Sequence, residues 1–136
     1  MGNREVVESL EVWLRELGFK TEIQAIEGHP GKYNLIASAG SGPEGLVLAG
    51  HTDTVPFDEA LWRSDPLKLT ERAGRLHGLG ATDMKGFFAL AIEAARAFQA
   101  GDLREPLTIV ATADEESSIQ VHDPAEVGPM EGCTDF

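Results

Sequence analysis

Residues 46–56, LVLAGHTDTVP, decide the fold and point toward the chemistry. Five apolar or small residues run without a polar break, stop at His51, and Asp53 follows two places later. A half-exposed strand would alternate. A short run apolar on both faces fits a central strand of a sheet covered on both sides. The design recurs at 106–113, PLTIVATA, which runs into Asp114, Glu115 and Glu116.

Around these two runs the apolar period changes. Val6, Leu10, Trp13, Leu14 and Leu17 form one helical stripe, closed by Gly18. Met84, Phe87, Phe88, Ala91, Ile92 and Ala95 form a second, running toward Gly101 and reading as core packing. KTEIQAIE (20–27) and YNLIASA (33–39) read as strands on either side of the turn GHPGK, and GSGPEG marks the next turn. Residues 57–80 are irregular, with PLKLTE and GRLHGLG forming a hairpin. Helices that alternate with buried strands give an α/β class: a three-layer, largely parallel mixed sheet flanked by helices.

Composition limits the function. The 136 residues suffice for one domain with a core. Lys and Arg number 11 against 23 Asp and Glu, a net charge of −12, which argues against a nucleic-acid partner. The single Cys133 excludes an internal disulfide and a cysteine-based zinc cluster. No apolar run has the length of a membrane helix, and MGNREVVESL lacks a signal-peptide centre. The expectation is a cytoplasmic protein without a membrane partner.

The polar residues that follow the buried strands gather at one edge, since open α/β sheets build sites beyond the carboxyl ends of their strands. His51 and Asp53 follow the first run, Asp83 precedes the second helical stripe, and Glu115 and Glu116 follow the second run. An imidazole with carboxylates suits zinc, cobalt or manganese. Asp53 would orient the imidazole, Asp83 would bridge two ions, and Glu115 beside the ligand Glu116 would take a proton from water. The residues alone leave other readings open. His-x-Asp is often a loop hydrogen bond, Asp83 is a good helix N-cap, and three acids after a strand are often a solvated loop.

The stretch GHTDTVPFDEALWRSDPLKLTERAGRLHGLGATDMKGFFA, with ATADEES, resembles the acetylornithine deacetylase / succinyl-diaminopimelate desuccinylase family of zinc amidohydrolases and peptidases. The resemblance runs from about residue 5 to 118, and its VPFD and DMKGFFA contexts lean toward the acetylornithine branch. It implies His51 and Glu116 as zinc ligands, Asp83 as the bridging ligand, Asp53 as the orienting carboxylate and Glu115 as the general base. The implied reaction is hydrolysis of an N-acetyl amide, releasing acetate and ornithine in arginine biosynthesis, with one or two zinc ions. Two alternatives stay open: another acyl-amino-acid substrate such as succinyl-diaminopimelate or acetylcitrulline, and a non-catalytic metal-binding or interaction remnant.

The family's catalytic domain is longer and carries an inserted lid and dimerisation domain absent here. Residues 1–118 then read as a partial catalytic domain and 119–136 as a tail. SIQVHDPAE resembles the family's C-terminal ligand segment, one residue shorter, which implies an internal deletion after Ser118 and makes His122 a further metal ligand. The competing reading is an unrelated tail with His122 in a loop. Missing strands leave edges exposed, so self-association is expected.

Overall fold

The computed structural model describes residues 2–98, 100–113 and 115–116. The chain runs α1 (Arg4–Glu16), β1 (Lys20–Ala25), β2 (Tyr33–Ala39), β3 (Leu46–His51), β4 (Thr70–Arg72), β5 (Arg75–His77), α2 (Lys85–Ala95) and β6 (Leu107–Thr112), with short 3-10 turns at Glu59–Leu61 and Ala100–Asp102.

α1 buries Val7, Leu10 and Leu14, one stripe at helical spacing. Trp13, read as part of that stripe, is half exposed, because the stripe centres on Val7 rather than Val6. The helix closes with two reversed bonds, Gly18 N–H to Arg15 O at 3.0 Å and Phe19 N–H to Leu14 O at 3.0 Å. These use carbonyls left over at a helix end, and they turn Phe19 into the core. α2 buries Phe88, Ala91, Ile92 and Ala95, as its stripe implied, with Phe87 packed edge-on to Phe88 at 5.3 Å.

The sheet has the order β1-β2-β6-β3. β1–β2 and β2–β6 are antiparallel, and β3–β6 is parallel. The expected α/β class with a mixed sheet and flanking helices is what the structure shows. The long crossover from β3 to β6 through α2 is what makes their pairing parallel. Leu35, Ala37, Leu107, Ile109 and Ala111 form one core with the buried stripes of α1 and α2. Cross-strand partners share a face. Both helices therefore cover the same face, and the opposite one carries Ile36, Ser38, Thr108, Val110, Val47 and Ala49. Among the described residues no helix covers that second face, and β3 is an edge strand rather than a central one. Gly50 lets α2 approach closely: a Cβ there would lie 2.8 Å from Met84 Cε and 2.9 Å from Phe87 Cδ1. β3 and β6 therefore end level, at His51 and Thr112, which fixes where the polar residues beyond them meet.

Candidate metal centre

The carboxyl ends of the parallel pair are laced together. Thr52 donates both its N–H and its hydroxyl to Thr112 O, each at 2.9 Å, and the Thr112 hydroxyl donates to Gly50 O at 3.3 Å. Below them lies Asn3, fully buried, whose Nδ2 donates to Thr52 Oγ1 at 2.7 Å and to Tyr33 O at 2.8 Å while Oδ1 accepts from Tyr33 N–H at 2.9 Å. Asn34 Oδ1 accepts from Ala113 N–H at 3.1 Å and steadies the exit of β6. Neither asparagine stands out in the sequence, because an isolated amide near a turn has no periodic signal.

His51 is buried at the end of β3. Its Nδ1 lies 3.2 Å from the backbone carbonyl of Asp53 and 3.4 Å from the Asp53 carboxylate. Both are acceptors, so Nδ1 carries the proton. Its Nε2 lies 3.2 Å from Asp83 Oδ1, and 3.9 Å from both Glu115 Oε2 and Glu116 Oε1. A neutral ring would aim the Nε2 lone pair at three carboxylates. The cluster therefore calls for a positive charge at Nε2, from a second proton or from a cation. Burial pulls the imidazole down, but the bond to Asp83, the Asp53 carbonyl and the charges of Asp53 and Glu115 outweigh it and hold His51 above its ordinary value.

Asp53 does more than face the imidazole. Its carboxylate accepts the backbone N–H groups of Glu116 at 2.8 Å and Glu115 at 3.3 Å, so it holds the loop that delivers both glutamates. One ligand atom each from His51, Glu115 and Glu116 lies within 4.8 Å of the other two. Asp83 approaches from the start of α2. It does not cap the helix: the N-cap is Met84, which makes no side-chain cap bond. Its side chain is 73% exposed and turns toward His51 instead. Lys85, two residues on, packs over Gly80, where a Cβ would lie 2.6 Å from its Cε, and burial lowers its pKa against the opposing pull of Asp53.

The structure thus brings His51, Asp53, Asp83, Glu115 and Glu116 together. His122 and Asp114 lie outside the described residues. Sequence reasoning assigned Glu115 to proton transfer only, whereas its carboxylate stands as near to Nε2 as that of Glu116. One imidazole, fixed at Nδ1 and surrounded at Nε2 by carboxylates, fits a divalent ion of the zinc, cobalt or manganese type.

An α/β sheet with an imidazole and carboxylates gathered beyond its parallel strands is the arrangement of metal-dependent hydrolases. The comparisons make that class specific. Residues 47–129 match the model of peptidase family M20/M25/M40, and the chain belongs to that family. It is 54% identical over 117 residues to the acetylornithine deacetylases of Photorhabdus laumondii and Pasteurella multocida, an alignment that covers 86% of this chain and about 30% of theirs. The crystal structure of human carnosine dipeptidase 1 superposes with a TM-score of 0.65 at 31% identity, over 81% of this chain and 26% of that one. The chain therefore spans about 30% of the length of the curated relatives it matches.

Proposed function

We propose that this chain carries the strand-end part of a metal-dependent amidohydrolase acting on an acylated amino acid, N-acetylornithine first. The observation that carries the reading is the His51 Nε2 facing three carboxylates while Nδ1 is committed to Asp53. The names of the 54% identical relatives support the substrate.

His51, Asp83 and Glu116 would hold the ion, with His122 as a further ligand. Zinc fits best, and one or two ions would bind. A divalent ion held there supplies Lewis acidity toward the scissile carbonyl and lowers the pKa of water. Asp53 keeps the His51 proton on Nδ1, leaving Nε2 free as a donor atom, and through its two backbone bonds it fixes Glu115 beside Glu116. Glu115, whose side chain is 58% exposed, accepts the proton of the attacking water and returns it to the amide nitrogen as the C–N bond breaks. The products are a carboxylate and a free amine.

The test is acetate release from N-acetylornithine, with succinyl-diaminopimelate and acetylcitrulline in parallel. The zinc-loaded chain is expected to release acetate, and Glu115→Gln to lower the rate roughly 100-fold or more, the usual worth of a general base. Release unchanged by Glu115→Gln would overturn that role. No metal-dependent release from any of the three would contradict turnover by this chain.

Self-association forms part of the same reading. The edge of β3, without a partner strand among the described residues, with Leu46 56% exposed beside it and Leu90 74% exposed on α2, offers backbone and apolar surface to a second copy. A monomeric elution at all concentrations would contradict it. Among the described residues no helix is long and apolar enough to cross a membrane. A place in the cytoplasm belongs to the same reading and rests on the names of the relatives.

A further inference from the structure

The β4–β5 hairpin has two faces of opposite chemistry. Its register pairs Thr70 with His77, Glu71 with Leu76 and Arg72 with Arg75. Alternation sends Thr70, Arg72, Arg75 and His77 to one side and Glu71 and Leu76 to the other. The apolar side, with Leu69 and Leu76, lines a cavity of about 620 Å³ that Lys85 also borders. The polar side lines a second, open cavity of about 350 Å³, bordered also by residues 61–64 with Trp62, Arg63 and Ser64 in its wall. That volume lies within the range of roughly 300–1,000 Å³ typical of small-molecule sites.

This second cavity gathers donors and no carboxylate. In a chain with 23 acidic residues against 11 basic ones, that is a local reversal of charge. Arg63, Arg72, His77 and Ser64 make no side-chain hydrogen bond or ion pair among the described residues. Thr70 already donates its hydroxyl to Lys68 O at 3.2 Å and contributes wall rather than a donor. Guanidinium groups present N–H pairs that match the oxygens of phosphate and carboxylate. A flat indole beside them suits an apolar or planar part of the same ligand.

We propose that this cavity is a binding site for a small oxyanion, a phosphate or carboxylate group held by Arg63 and Arg72 with Ser64 and His77 completing its hydrogen bonds. It shares no residue with the strand-end cluster, so it stands or falls independently of the hydrolase reading.

The test uses the 136-residue chain with Trp13→Phe, which leaves Trp62 as the only indole. Its emission is followed while sodium phosphate or sodium acetate replaces sodium chloride at constant ionic strength. The expected result is a saturable change with at least one of the two anions. Arg63→Gln and Arg72→Gln together should weaken it about tenfold or more, as expected for lost charge-assisted bonds. Lys20→Gln, which removes one positive charge from β1 in the other sheet, should leave it unchanged, and an unaltered anion-free Trp62 emission in the double variant shows an intact hairpin. Saturation with phosphate alone assigns a phosphoryl ligand, and saturation with acetate assigns a carboxylate. No saturable response to either anion, or a response that survives the double substitution, overturns the proposal.

Discussion

The two faces of the sheet were built under different rules. On the covered face, Leu35, Ala37, Ile109 and Ala111 are at most 1% exposed and meet the stripes of α1 and α2. On the other, Ile36, Val110 and Val47 stay partly exposed, and the Ser38 and Thr108 hydroxyls bond each other at 2.8 Å. One face stabilises the fold by burial. The other spends part of its area on polar pairs and ends, along β3, in the His51 cluster. Stability and chemistry are thus carried by neighbouring residues of the same strands that differ only in which way they point.

Substitutions can break that contrast. Ile109→Ala opens a cavity in the covered face, and its cost is roughly 2–5 kcal/mol by urea unfolding. Gly50→Val drives a side chain into Phe87 and Met84, with an expected loss of about 1–3 kcal/mol and an α2 that no longer seats on β3. Ile36→Ala, the same chemical change on the open face, should cost only about 1 kcal/mol. If Ile36→Ala matched Ile109→Ala, the second face would be covered in solution, most directly by another copy.

A proton provides the subtlest contrast. His51 titrates above its ordinary value when folded and metal-free. Its charged form therefore adds stability that is fully present below about pH 6.5, the ordinary histidine value. That contribution is lost as pH rises through the folded value. The metal-free chain should lose stability between acidic and mildly alkaline pH, and His51→Asn should remove that part of the slope. Equal slopes in the two proteins would mean that the carboxylates do not hold a charge on the ring. With zinc present the dependence should reverse, since ion and proton compete for Nε2.

Much of this was legible in the chain. Helical period placed α1 and α2, and short apolar runs bounded by turns or polar residues placed β2, β3 and β6. What stayed hidden was long-range. The antiparallel β2–β6 pairing joins Leu35 to Ala111, and no local signal announces a partner so distant in sequence. The apolar run at 46–50 read as central because both its faces are apolar, yet its outer edge has no partner among the described residues. At the site, His51, Asp53, Glu115 and Glu116 were visible as polar residues that stop buried runs. Asp83 was ambiguous, since a carboxylate before a helix is as good a cap as a ligand, and only its turn toward His51 separates the two. Asn3 and its bonds to Thr52 and Tyr33 could not be foreseen, because they join the first residues of the chain to the floor of the site.

The claim that the strand ends form a metal centre is tested most directly by calorimetric titration of zinc into the metal-free chain at neutral pH, beside His51→Ala. The account predicts saturable binding of one or two ions per chain with release of a proton, abolished or greatly weakened in His51→Ala. An isotherm without binding heat, or one that His51→Ala leaves unchanged, would contradict it.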